Sequence, residues 1–501
     1  GFYNSALGHG SLFANTTGNN NVAIGYESLV ANTTGTDNVA VGSGALDANT
    51  TASNNTAVGK SALGGNTTGT NLVAVGYKSL EANTTADSNT AVGYNAMLSN
   101  TTGAHNTAVG KDAFDANTTG IENVCMGSNS LTGNTTGSHN TALGQKALLV
   151  NSTASNNTAV GYETLKANTT GHSNVAVGAY ALDANTTGHS NVAVGANALD
   201  ANTTANNNTA IGLQSLTANT TGAQNSGLGT YTLGTNSTGD NNTAVGYGAL
   251  FANTTADNNT ACGKDALISN TTGTQNNAIG ALALDACTTG ERNQAMGYNA
   301  LGALTSGIRN VSIGNDSMVT LTTGNRNVAV GEQTLYNSTA SDCVAVGNKA
   351  LLLNTNASEN TAVGSEALLN NTTGSNHTAL GYGALKSVTT GSTNTGLGRL
   401  AGADVTSGTN NTCIGAEAGK SNSPSGSITS GSNNVVIGNN SISNLFCADT
   451  SISSSDSRDK TDIADFTKGL DWIKALRPVT YRWDRRTWYG TDAEPYGTPD
   501  G

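Results

Sequence analysis

A glycine recurs every 17 residues through most of this 501-residue chain, closing the motif Asn-Thr/Val-Ala-Val-Gly each time. The series runs Gly8, Gly25, Gly42, Gly59 and onward to Gly331. It drops one residue before Gly347, resumes through Gly415, and takes a longer step to Gly438. That makes 26 coils. Self-similarity at a fixed short period is the signature of a solenoid and constrains the fold more than any other feature. Seventeen residues are too few for a helix pair, and glycine at this frequency undermines helices. The unit suits two short strands and two tight turns.

In the reference unit, Asn21 to Asp37, Val22 and Ile24 alternate with Ala23, the period of two that marks a strand. Four residues after the glycine stands an apolar column: Leu12, Leu29, Leu46, Leu63, Leu80, Met97, Phe114, continuing to Leu385. The glycine and the Thr-Thr-Gly/Ala segment supply turns, where positive φ is expected. Burying about two large side chains per coil yields roughly 1.5–3 kcal/mol apiece. Ordering the backbone costs about 1–2 kcal/mol per residue, so one coil cannot fold alone. Neighbours must share burial and ladder hydrogen bonds. A thin, small-residue core also explains why only 36% of the chain is hydrophobic. The expected fold is all-β, a parallel β-solenoid (β-roll) of 17-residue coils, rising about 4.8 Å per coil into a rod on the order of 125 Å.

Asn occupies the position seven after the glycine in sixteen consecutive coils, from Asn15 and Asn32 to Asn270, mostly followed by Thr-Thr. Formally these are N-glycosylation acceptors. The alternative is an internal ladder of stacked amides. Later coils carry Cys287, Leu304, Leu321, Val388 and Val405 at the same position, which favours an inward column and the ladder. The acceptors Asn54-Asn55-Thr56 and Asn310-Val311-Ser312 lie elsewhere in the coil and stay open.

Chemistry-bearing residues are sparse. Cys125, Cys262, Cys287, Cys343, Cys413 and Cys447 have no metal-ligand or disulfide spacing and read as small buried fillers. His105, His139, His172 and His189 fall in the turn after Thr-Thr-Gly/Ala and read as solvent-facing. No metal and no cofactor is expected. Arg292, Arg309 and Arg326 share one turn position in three successive coils, about 4.8 Å apart. Like charges so close need a partner, either Glu291 or an external anion, so the three are a candidate strip for an anionic glycan. Tyr26, Tyr77, Tyr94, Tyr162, Tyr247, Tyr298 and Tyr382 directly follow the glycine and form an exposed column suited to sugar stacking or turn capping. A net charge of −12 and a pI near 4.8 argue against nucleic acid as a partner. No run of 18 apolar residues exists to insert in a membrane. The chain opens on Gly1 inside a repeat, which reads as a cut end with an attachment or targeting region upstream.

After Asn440 the repeat stops. A Ser-rich stretch (441–454) leads into a segment with all three Trp residues. Its run Ser455-Asp456-Ser457-Arg458-Asp459-Lys460, then Ile463, Gly469-Leu470, Trp472-Ile473, Leu476-Arg477-Pro478-Val479, Tyr481 and Trp483, resembles the start of the endosialidase-type intramolecular chaperone, the peptidase S74 family of phage tail fibres and tailspikes. The resemblance implies the front of an α/β chaperone domain over 455–501, whose later half would lie beyond Gly501. Such domains trimerise, assist folding of an upstream β-fibre, and release themselves by cutting at their own N-terminal edge. The family's serine and lysine fall on Ser455 and Lys460, with Asp456 and Arg458 in support. A hydroxyl needs a base, and a desolvated lysine amine can serve. The repeats are in turn similar to the head repeats of trimeric autotransporter adhesins.

The expected molecule is therefore a homotrimeric extracellular or virion-surface fibre: shaft 1–440, linker 441–454, chaperone front 455–501. Its expected partner is a host-surface glycan or protein, and its expected task is attachment without trans-acting catalysis. The alternatives are a bacterial trimeric surface adhesin and a glycosylated structural filament.

Overall fold

A computed structural model of the protein describes residues 1–446. Its strands are three residues long and number 26, from β1 (Ser5–Leu7) and β2 (Val22–Ile24) to β26 (Val435–Ile437). Each pairs in parallel with the next coil's strand, without stagger: Ser5 opposes Val22, Ala6 opposes Ala23 and Leu7 opposes Ile24. The result is one 26-stranded parallel sheet wound as an all-β solenoid, with no helix among the described residues. Residues 1–442 form one compact unit. The α/β segment expected over 455–501 lies outside the described residues.

Each coil holds one strand, where the sequence suggested two. The stretch after the glycine keeps coil-to-coil hydrogen bonding: Glu27 N–H donates to His9 O (2.9 Å) and Leu29 N–H to Ala45 O (3.0 Å). Yet Glu27 and Leu29 have φ of 54° and 51°, which a strand does not allow. The reason is packing. Ser28 and Leu29 are adjacent and both fully buried. A strand would send them to opposite faces, whereas alternating left-handed residues turn both inward. Positive φ thus falls on the repeat glycine, as expected, and also on the Leu column and two mostly polar positions, while the Gly of Thr-Thr-Gly adopts no positive φ, contrary to the turn chemistry expected there.

The core also differs from expectation. In the strand it is Ala23 that points in, while Val22 and Ile24 point out. One large side chain per coil, the Leu column, fills the interior beside two small residues. The remaining volume belongs to asparagine. Asn32 Nδ2 donates to Asn15 Oδ1 of the previous coil (3.0 Å) and to Gly35 O (3.1 Å), and this pattern repeats up the stack with the Asn fully buried. The ladder reading of this column is correct, and a glycan has no room there.

A second buried Asn column stands immediately before each strand. Asn38 takes Asn21 Oδ1 with both its backbone N–H (3.0 Å) and its Nδ2 (3.1 Å), and reaches Ala52 O (2.9 Å). Asn310 belongs to this column and is fully buried, whereas Asn54 is exposed. Both ladders satisfy polar groups that would be costly to bury unpaired. The columns tolerate substitution: Cys287, Leu304 and Val388 interrupt the first, and Leu72, Cys343 and His377 the second. The short step before Gly347 drops one Thr of the Thr-Thr pair. There Ser338 Oγ takes over as acceptor from Asn354 Nδ2 (3.1 Å).

Candidate functional site

The strands present a continuous surface. From β2 on, the middle residue of each is buried, and the first and third never are. The third is always apolar, including Ile24, Val41, Met126, Leu228, Ile279 and Ile414; the first is mostly Val or Thr. The chain has 21 Lys and Arg and 33 Asp and Glu, yet none lies in any strand. A band three residues wide and 26 strands long covers on the order of 1,000 Å². The Val/Thr positions are interrupted at Asn277 and Gln294, where Asn277 Nδ2 donates to Gln294 Oε1 (2.7 Å). Sequence reading found the alternation but missed this face, because alternation alone does not say which side is in.

Arg292, Arg309 and Arg326 do stand in one exposed column with φ of 58°, 59° and 58°. Their partners are not those expected. Arg326 forms a bidentate pair with Asp342 (2.6 and 2.8 Å), and Arg292 Nε donates to Gln275 Oε1 (2.9 Å). Glu291 contributes only its backbone carbonyl, to Arg309 N–H (3.0 Å). The Arg326 guanidinium draws the Asp342 carboxyl below its ordinary pKa. Of the three, Arg309 alone has no side-chain partner among the described residues, Arg292 gives only its Nε to a neutral amide, and Arg326 is the one paired with a carboxylate.

The tyrosine column is exposed, with Tyr77 and Tyr94 stacked at 5.2 Å between centroids. His172 and His189 stack likewise at 4.9 Å, the spacing of consecutive coils. His377 was not singled out by sequence. It stands in for Asn in the second ladder, where its Nδ1 accepts the Asn394 N–H (3.1 Å), and burial depresses its basicity.

The cysteines divide. Burial pushes the Cys125 thiol up to about 12 and those of Cys287 and Cys343 to about 11, and Cys413 is raised as well. Cys262, read as a buried filler, is exposed: it occupies the outward third position of its strand. Cys447 lies outside the described residues. No group of three or more His, Cys, Asp or Glu close enough to hold a metal ion occurs among the described residues.

One charged cluster bears on stability. Glu163 receives Lys146 Nζ (2.8 Å) and Lys166 Nζ (2.9 Å), which hold its carboxyl down to about 2. An ordinary glutamate titrates at about 4.3. A lowered folded-state pKa stabilises above the unfolded value and loses that contribution as pH falls toward 2. Glu163→Gln should therefore melt below the wild type at pH 7, the gap closing between pH 4 and pH 2 in thermal scans. A gap that stays constant over that range would show the ion pairs to be irrelevant.

Ser455, Lys460, Asp456 and Arg458 lie outside the described residues. Among the described residues no helix is long and apolar enough to cross a membrane. Compared with known proteins, residues 455–497 match the family model for Peptidase S74, chaperone of endosialidase. No curated protein sequence matches the chain. A parallel β-solenoid that leads into a chaperone-of-endosialidase segment fits a fibre protein of the endosialidase-chaperone type.

Proposed function

We propose that this chain is the shaft of a homotrimeric tail fibre that attaches a phage or virus-like particle to a glycan or protein on a host surface. The shaft is residues 1–440, the linker 441–454, and the chaperone front 455–501. The observation that carries the reading is the charge-free strand face with its unbroken apolar third column. Exposed apolar columns that run unbroken along a surface mark interaction sites. A stable interface buries about 800 Å² per partner, and the face offers an area of that order. A second copy of the same solenoid also matches its period coil for coil. The chaperone-of-endosialidase match supports three as the number of copies.

In this reading Lys460 removes the Ser455 hydroxyl proton and Oγ attacks the Ser454 carbonyl. The Ser455 amide nitrogen leaves with a proton, giving an ester that water hydrolyses to a new carboxylate at Ser454 and a free Ser455 hydroxyl. Asp456 and Arg458 support the pair. Native mass spectrometry tests assembly and cleavage together. The expected species has three times the 50.1 kDa chain mass, or three shafts ending near Ser454. A stable monomer of intact mass would sink the trimer and the chaperone role alike.

A further inference from the structure

A hollow of about 260 Å³ opens on the stretch of coil that follows the glycine, lined by Tyr231, Tyr247, Gly248, Phe251 and Ile268. It is made by differences between three successive coils. Tyr231 and Gly248 hold equivalent positions, two after the glycine, and Asp265 holds the next one down. Gly248 has φ 66° and brings no side chain of its own between Tyr231 and Asp265. Gly234 makes room on the other side: a Cβ there would come within 2.7 Å of Phe251 Cε2, so the Phe251 ring lies across that glycine. Tyr231 meets the Tyr247 ring at 87° (5.8 Å) and the Phe251 ring at 90° (6.4 Å). Tyr247 is 52% exposed and Phe251 38%, so both walls face solvent.

Asp265 packs against Gly248 beside the hollow without lining it. Its Oδ1 lies 2.5 Å from where a Gly248 Cβ would be and has no hydrogen-bond partner, while Oδ2 stands 3.5 Å from Lys264 Nζ. The repeat does not make such walls by itself. Gly10, Gly44 and Gly383 hold the same position as Gly248; the place of Phe251 is taken by Asp47 and Lys386 in two of them, and Phe13 follows Gly10 in the first coil with no counterpart of Tyr231 among the described residues.

We propose that this hollow binds one pyranose ring of an uncharged glycan. Aromatic faces pack against the C–H face of a sugar; Asp265 Oδ1, closed to solvent as it stands, accepts from a hydroxyl only when the sugar draws the carboxylate toward the opening. Lys264 balances Asp265, so the site has no net charge to select an ion. Its volume is below the roughly 300–1,000 Å³ of pockets for drug-sized ligands, which suits a single ring. The inference rests on the attachment reading for the source of its glycan, and gives that reading a location.

The test uses the full chain and a panel of methyl glucoside, methyl galactoside, methyl mannoside and N-acetylglucosamine, with choline as a cationic probe, followed by saturation-transfer NMR. The plugging variant is Gly248→Asn. Asn95, Asn129, Asn197 and Asn299 occupy this position in other coils with φ of 53–57°, so the variant keeps the backbone. The expected result is millimolar or tighter binding of at least one sugar, weakened tenfold or more by Gly248→Asn while assembly mass and melting temperature hold. No sugar binding, binding untouched by Gly248→Asn, or binding of choline alone would overturn it. Assembly mass reads the fibre proposal separately: a monomeric wild type that binds sugar through Gly248 leaves this site standing.

Discussion

Lysines at Val177, Ile211, Ile279 and Ile313 should convert the proposed trimer to single chains without unfolding the solenoid. These side chains occupy the outward third position of their strands and are 37–41% exposed in the isolated chain. Substitutions at such surface sites usually change stability by no more than about 0.5 kcal/mol. In an assembly that buries the strand face, each lysine layer instead brings three like charges together in an apolar seam. An unpaired buried charge costs several kcal/mol after relaxation. Four such layers exceed what a face of this size can offset. Cys262 reports locally on the same event, because it lies in the same column one coil before Ile279. In a Cys447→Ser background it should alkylate slowly in the assembled wild type and rapidly in the lysine variant. Cys125, Cys287 and Cys343 stay silent, being buried with raised thiol pKa values. If wild-type Cys262 already reacts as an open thiol, the strand face is not the interface.

The legible parts of this protein were those that repeat identically. The glycine column, the Leu column and the first Asn column each place one residue type at one position in coil after coil, and stacking turns each into a line of contacts. Substitution by Leu304 and Val388 even revealed that the first Asn column points inward. The second Asn column escaped notice although its residues opened the aligned motif, because a landmark common to every coil invites no comparison. The strand's orientation was hidden for a different reason. Large apolar residues usually face the core, yet here Ala23 does and Ile24 does not, because the Leu column and two amide ladders already fill the interior. The carboxylate partner of Arg326 was hidden by a deletion. The 16-residue step brings Asp342 beside Arg326, a neighbour that a strict 17-residue alignment offsets by one. The Tyr231–Phe251 hollow depends on what adjacent coils lack, which a consensus erases.

Gly144→Ala should split the solenoid at that coil. Gly144 has φ 140°, in a region that side-chain-bearing residues scarcely enter, and an added Cβ would overlap the carbonyl oxygen of Gly161 in the next coil. Backbone strain of this kind costs about 1–3 kcal/mol. The overlap cannot be relieved by a side-chain rotation, since the obstacle is backbone held by its own ladder: Gly161 N–H donates to Leu143 O at 2.8 Å. Relief requires the two coils to part, which leaves buried backbone groups unpaired at a further cost of about 1–3 kcal/mol each. In a stack where each coil contacts only its neighbours, the loss stays at one junction and divides the array into two shorter ones. The expected readouts are a first thermal transition well below that of the wild type and preferential protease cutting between residues 144 and 161. Gly64→Ala is the matched control: its φ is not positive, and its nearest obstacle is the Asp47 carboxylate at 3.3 Å, a side-chain end that can move. It should melt with the wild type. If Gly144→Ala does so too, the glycine column is not what sets the spacing between coils.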